Sequence, residues 1–309
     1  MGTPVILTDL DVVALQESAV QAAVRAAFVQ LASGRAVQPQ QVVTELPGGG
    51  DVIAYQAVLA DSEVYAVKVS PYLPQPAGNA VVTAWTLLMS TRTGEPVALI
   101  DAGALTVERT AATTAVALDL LARAGASSLA VIGWGPVGRA HLRHARAVRD
   151  FTDVRVWSRS MTAGDLVGPD GPDGLRPAAS AEEAAAGADV VLLCTSAALS
   201  VVDVRQLAAG TLVTSVSTNA PMAHEIDPAA LLELDVYADH APAALAAAGE
   251  MRIAAAEHGF TADHLRGDLA GLLTGSSPAP TGQKPVFFRS VGLGIEDAAI
   301  ALAALAAVP

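Results

Sequence analysis

Gly133, Gly135 and Gly138 are spaced as G-x-G-x-x-G, directly after the apolar run SSLAVIG. In such a turn the first glycine makes the tight bend and the second lets the backbone approach a pyrophosphate. The third lets a helix pack closely on the strand. Pro136 and Val137 lie between the last two glycines and open the helix, whose N-terminal N–H groups face the negative charge. Glycines also serve ordinary turns, but a strand before and a helix after make dinucleotide binding the stronger reading. Lys68 raises a different question, because it interrupts the apolar run VYAVKVS. An edge lysine whose amine reaches solvent is one explanation, and an ammonium kept for chemistry is the other. Arg109 follows a strand and opens a helix, where a surface salt bridge is the plain alternative to a ligand-binding role.

The strand VRVW ends in Ser158, Arg159 and Ser160, with no carboxylate. NAD-binding units keep an acid at that place for the ribose 2′-hydroxyl. A guanidinium flanked by two hydroxyls suits a 2′-phosphate instead. NADPH is therefore the expected cofactor, with NADH possible. Thr195 and Ser196 end the run DVVLLCTS, at the strand end where ligands bind in parallel sheets. His141 and His144 sit among Arg139, Arg143 and Arg146 and read as a solvated basic face. No cysteine or third close histidine completes a zinc set, so no metal is expected. His224 and Glu225 lack the second histidine of a zincin helix and read as a helix start. Cys194 reads as an inert strand residue.

The chain has 309 residues, room for one large or two ordinary domains. Its net charge of −13 disfavours nucleic acid and anionic lipid as partners. The single cysteine cannot make an internal disulfide, which fits a reducing cytoplasm. The opening MGTPVILTDL has no signal-peptide pattern, and charges at Asp119 and Arg123 break the longest apolar passages, so no membrane span is expected. The expected location is cytoplasmic. Residues 11–32 carry apolar positions at helical spacing and predict one amphipathic helix. Strands are expected within residues 51–70 and in AWTLLMS and EPVALID, around the turn at residues 91–94. A helix is expected over about residues 111–124. Beyond it VRVWS, DVVLLCTS, TLVTSVS and LDVYAD alternate with helical segments, the βα pattern of a parallel sheet. PVFFR adds a strand, a helix is expected over about residues 296–307, and GPDGPDG near residue 170 reads as a surface loop.

Five passages in order resemble the ornithine cyclodeaminase/μ-crystallin family. ALTVERTAA is similar to its L-T-x-x-R-T-A-A segment, AVKVS to its lysine strand, and TGEPVALID to the strand pair before the arginine. HEIDPAAL and FFRSVGLGIEDAAIA resemble two later signatures, and the tail looks most like the Δ1-pyrroline-2-carboxylate and ketimine reductase branch. The resemblance implies an α/β protein with a Rossmann-type doubly wound parallel sheet, residues 113–289. This would be inserted into an α+β substrate-binding and dimerisation domain, residues 1–112 and 290–309, with substrate in the cleft of a homodimer. Lys68 and Arg109 match the family's substrate-site lysine and arginine. Arg109 would hold a carboxylate, and Lys68 would assist protonation at the imine nitrogen. The resemblance also puts Ser217, Ser290 and Gly292 at the cofactor.

Two departures stand out. Cyclodeaminating members carry an aspartate where this chain has Asn219, and an amide cannot take a proton. The deaminating half-reaction is thus expected to be lost, leaving Asn219 to shape or hydrogen-bond the substrate. Gln41 stands where an arginine usually follows the early proline, which leaves open whether the substrate carries a carboxylate. The expected activity is NADPH-dependent hydride transfer to the C=N bond of a small, cyclic imine. Δ1-Pyrroline-2-carboxylate, Δ1-piperideine-2-carboxylate and an imine of specialised metabolism are its candidates. A cyclodeaminase-type lyase with bound NAD, or a non-catalytic NADPH-dependent ligand-binding protein, are the alternatives.

Overall fold

The computed structural model describes residues 3–75, 80–162, 174–217, 220 and 222–308. They fall into two compact units, Met1–Ala112 with Gly292–Pro309, and Thr113–Val291.

In the first unit β1 (Val5–Leu7) leads to α1 (Asp9–Val13), α2 (Glu17–Ala32), β2 (Ala36–Val37) and β3 (Val42–Glu45). Next come β4 (Asp51–Leu59), β5 (Val64–Pro74), β6 (Ala80–Val82), β7 (Trp85–Ser90), β8 (Pro96–Asp101) and α3 (Gly103–Leu121), whose residues from Thr113 onward are counted with the second unit. The sheet runs β1-β8-β7-β5-β4-β2, with β3 on β4 and β6 on β5. All of its pairings are antiparallel except β1 with β8. The period-2 alternation of β5 buries Val64, Ala66 and Lys68 on one face and turns Tyr65, Val67 and Val69 to the other. Register places Tyr55 and Thr86 on either side of Lys68.

Two helix expectations need correction. Residues 11–32 form two helices, because α1 is a separate turn closed by a capping box between Thr8 and Asp11. It ends where the Leu15 N–H returns to the Val12 carbonyl, and α2 starts afresh after Gln16. The helix expected from residue 111 begins instead at Gly103, because Asp9 Oδ1 accepts from the Ala104 N–H at 2.7 Å. Arg109 therefore lies inside α3 rather than at its opening.

In the second unit β9 (Ser128–Ile132), α4 (Pro136–Val148), β10 (Asp153–Trp157), β11 (Leu175–Pro177), α5 (Ala181–Ala185) and β12 (Val190–Leu193) come first. They are followed by β13 (Leu212–Ser215), β14 (Asp235–Ala238), α6 (Ala241–Ala247), α7 (Gly249–Glu257), β15 (Leu265–Asp268), α8 (Leu269–Thr274) and β16 (Val286–Arg289). Every pairing is parallel, in the order β11-β10-β9-β12-β13-β16-β14-β15. The direction of the strand order reverses between β9 and β12, the doubly wound pattern. These central strands are apolar and buried along nearly their whole length, as strands covered on both faces must be.

His141 and His144 are not on a solvated face. Both are buried, His141 with Nε2 at 3.0 Å from Thr114 Oγ1 and Nδ1 at 2.7 Å from the Val137 carbonyl. Most of the GPDGPDG loop lies outside the described residues. The last helix, α9 (Gly294–Ala307), belongs to the first unit and packs on α2, β4 and β5.

Candidate active site

The glycine turn opens onto a cavity of about 550 Å³ at the carboxyl ends of β9, β10 and β12. Three different constraints explain its glycines. Gly133 sits at φ 104°, and a Cβ there would overlap the Cys194 carbonyl. A Cβ at Gly138 would overlap the Gly133 carbonyl oxygen, so helix and strand touch through this residue. Gly135 is exposed with nothing within 4 Å of where a Cβ would be, which leaves its backbone approachable. Pro136 is the first residue of α4, where its missing N–H costs nothing. A turn with these properties fits a dinucleotide pyrophosphate.

Ser158, Arg159 and Ser160 line the same cavity from the end of β10, with Arg159 and Ser160 exposed. Thr195 and Ser196 line it from the end of β12, beside Cys194. Burial pushes the Cys194 thiol well up, with the charge of Glu225 adding to the shift. Arg139, on the first turns of α4, also lines the cavity, its guanidinium carbon 5.9 Å from the Trp134 ring centre.

The remaining expected cofactor residues are placed differently. Ser217 has a left-handed backbone, φ 43°, and its N–H donates to Glu225 Oε2 at 2.9 Å. Ser290 spends its hydroxyl on Asp239 Oδ2 at 3.0 Å. Gly292, in the first unit, lies against the Arg109 guanidinium, which a Cβ would overlap. Asn219 lies outside the described residues. Glu225 is not a helix-start residue but a fully buried hydrogen-bond acceptor.

A second cluster is held by the first unit. Lys68 is only 2% exposed, in the middle of a sheet, which removes the edge-lysine explanation. Its Nζ donates to Asp297 Oδ1 at 3.0 Å and to Thr106 Oγ1 at 3.3 Å, and stands 4.5 Å over the Tyr55 ring centre. Arg109 Nη1 donates to Glu296 Oε2 at 3.0 Å, and its Nε lies 3.2 Å from the same Asp297 oxygen. The surface salt bridge considered for Arg109 is thus a buried one. Helix α3 supplies Arg109 and Thr106, β5 supplies Lys68, and the first turn of α9 supplies both carboxylates.

Burial lowers the Lys68 amine to about 8, with the nearby charge of Arg109 adding to the shift and Asp297 opposing it. Arg109 is also desolvated, but Asp297 and Glu296 outweigh that and raise it further. The cluster combines a firmly charged guanidinium with an ammonium lowered to about 8, chemistry that would suit anchoring an acid and protonating a neighbour. Glu296, Asp297 and Thr106 were not singled out from sequence, although the first two lie within the signature GLGIEDAA. Gln41 is half-buried just before β3.

The reversed strand order, the glycine cradle and the cavity across it define a Rossmann-type dinucleotide-binding protein. The chain belongs to the ornithine cyclodeaminase/mu-crystallin family, whose model matches residues 3–305. The NAD(P)H-dependent anabolic L-arginine dehydrogenase DauB of Pseudomonas aeruginosa is 51% identical over 281 residues, 90% of this chain and 89% of that one. The Δ1-pyrroline-2-carboxylate reductase of Thermococcus litoralis, solved with NADH and L-proline, superposes with a TM-score of 0.87 at 26% identity. That match covers 98% of this chain and 97% of the other. An archaeal alanine dehydrogenase dimer with bound NAD has a TM-score of 0.88 at 25% identity, covering 98% and 95% of the two chains. Among the described residues no helix is long and apolar enough to cross a membrane, and no His, Cys, Asp and Glu group could hold a metal ion.

Proposed function

We propose that this chain uses NAD(P)H to reduce the C=N bond of a 2-imino acid to the corresponding amino acid. Hydride comes from the cofactor's nicotinamide. Arg109 holds the substrate carboxylate in a charge-assisted fork, exchanging part of its pairing with Glu296. Lys68 supplies the proton that the imine nitrogen gains as its carbon takes the hydride, so the C=N bond becomes CH–NH with charge balanced. The observation that carries this reading is the Lys68 ammonium, buried beside Arg109 and softened to about 8.

The first substrate candidate is the open-chain imine of ammonia and 5-guanidino-2-oxopentanoate, whose reduction gives L-arginine. The relative at 51% identity supports it. The cyclic Δ1-pyrroline-2-carboxylate and Δ1-piperideine-2-carboxylate come second, supported by the reductase solved with L-proline. With Asn219 in place of an aspartate, a deaminating lyase is the weaker reading. The exposed Arg159 between two serines supports NADPH over NADH.

Residues 1–112 with the C-terminal segment would serve as the substrate and dimerisation domain, and residues 113–289 as the cofactor domain. The sheet face opposite Lys68 supports a homodimer. There Val67, Leu87 and Leu99 lie side by side across β5, β7 and β8, with Val69 and Trp85 39% and 43% exposed. An apolar face of that kind calls for a partner surface. The single cysteine and acidic composition support a reducing, cytoplasmic setting.

A screen of NADPH oxidation decides among the substrates, using 5-guanidino-2-oxopentanoate with ammonia, both cyclic imines, and an imine lacking a carboxylate. Turnover of the guanidino acid above the others is the expected result. Turnover of the carboxylate-free imine alone would remove Arg109 from its assigned role. Ammonia release from ornithine or lysine without added NADPH would restore the lyase reading.

A further inference from the structure

We infer that Glu225 is a positioning residue of the cofactor site, a buried strut that sets the cavity wall facing the nicotinamide half of NAD(P)H. The inference rests on the reading above, that the cavity takes this cofactor. Glu225 is fully buried, and each of its carboxylate oxygens accepts two hydrogen bonds. Oε1 takes the Thr195 N–H at 2.8 Å and the Thr195 hydroxyl at 2.7 Å. Oε2 takes the Ser215 hydroxyl at 2.7 Å and the Ser217 N–H at 2.9 Å. The backbone is used as well, since the Glu225 carbonyl accepts from the Val201 N–H at 2.9 Å. One residue thus pins both ends of the segment leaving β12, at Thr195 and Val201, to the segment leaving β13.

Two further observations show that the strut holds a shape the chain would not otherwise keep. Ser217 is left-handed, a backbone region that a residue with a Cβ enters only when its surroundings impose it. Its hydroxyl is buried and meets no partner among the described residues. The position of the strut gives it a direction. Thr195 and Val201 both line the cavity, across from the β10 end where Arg159 stands. In a doubly wound sheet the adenosine ribose lies at that second-strand end, so the other half of the dinucleotide crosses toward β12 and β13.

A carboxylate suits this place because the Thr195 and Ser217 N–H groups can only donate, one to each oxygen. Glutamine keeps the volume but must point its amide NH2 at one of these N–H groups, whereas the two hydroxyls can turn to accept. A merely structural carboxylate would lower all binding together, whereas a strut for one half of the cofactor separates the halves. The test is the dissociation constants of NADPH and of 2′,5′-ADP, which lacks the nicotinamide, for wild type, Glu225→Gln and Thr195→Val, each with its melting temperature.

In Glu225→Gln the affinity for 2′,5′-ADP stays within about twofold, while the advantage of NADPH over it shrinks by about tenfold or more. The rate of hydride transfer falls on the order of a hundredfold, the size expected when a reacting group is misplaced by about an ångström. Thr195→Val, which removes one donor and keeps the backbone bond, shifts the same ratio in the same direction by less. It decides the matter if the glutamine variant fails to fold. Parallel loss of both affinities, or no change in their ratio, would overturn the inference. Wild-type protein that binds neither ligand would overturn the cofactor reading itself, and the strut with it.

Discussion

The Lys68–Arg109 cluster and the glycine cradle are built in opposite ways. The cluster packs two cations and two carboxylates against one another, each under a tenth exposed. The cradle offers backbone, hydroxyls and an arginine on its exposed rim, and its fit comes from shape. The difference follows from the ligands each would take. A small imino acid, the proposed substrate, has few atoms to grip, so its binding and proton transfer would rest on buried charge, where low dielectric makes each pair strong. A dinucleotide is long and can be held by many weak contacts. Substitutions in the cluster should therefore stop chemistry, and substitutions in the cradle should shift affinity.

The strongest test of that division is Lys68→Ala. It should reduce kcat about a thousandfold, in the range for loss of a positioned acid, with NADPH affinity nearly intact. A matching loss of NADPH affinity in a binding titration would move Lys68 to the cofactor side. Arg159→Ala should weaken NADPH roughly thirtyfold, the worth of a charge-assisted phosphate contact, and leave NADH unchanged. An unaltered NADPH-to-NADH ratio would take the 2′-phosphate away from Arg159.

Gly292→Ala tests the seat of Arg109, because a Cβ there would overlap the guanidinium and the backbone is at φ 79°. Steady-state kinetics should show KM for the imino acid rising about tenfold, a displaced ionic contact of ~1.4 kcal/mol, with NADPH affinity constant. The smallest effect concerns pH. Lys68 is protonated below about 8 and the proposed reduction uses that proton, so the rate should be level on the acid side and half-lost near pH 8. Lys68→Arg, which keeps its charge, should lack that alkaline limb at whatever rate remains.

Much of this was legible in the sequence because the signals were local. Gly133, Gly135 and Gly138 declare themselves by spacing, and β9, β10, β12, β13, β14 and β16 are short apolar runs between helical patterns. What stayed hidden depends on partners far along the chain. The four donors to the Glu225 side chain are spread over residues 195–217, so His224 and Glu225 resembled an ordinary helix start. Asp9 caps a helix 95 residues away. His141 and His144 misled for another reason. Arginines surround them in sequence, but helical periodicity turns the two histidines inward and leaves the arginines outside the core.

The place of β16 in its sheet has a consequence for how the chain comes to fold. It is the last strand to be made, yet it lies between β13 and β14. A growing chain therefore carries two unjoined strand edges until about residue 289, and helix α9 with its two carboxylates emerges later still. Until then Lys68 and Arg109 lack Asp297 and Glu296, the carboxylates they are buried with. Closure of the parallel sheet and neutralisation of the basic pair both wait until residues 286–297 have been made, so nascent chains that stop short of them should depend on chaperones more than chains that include them.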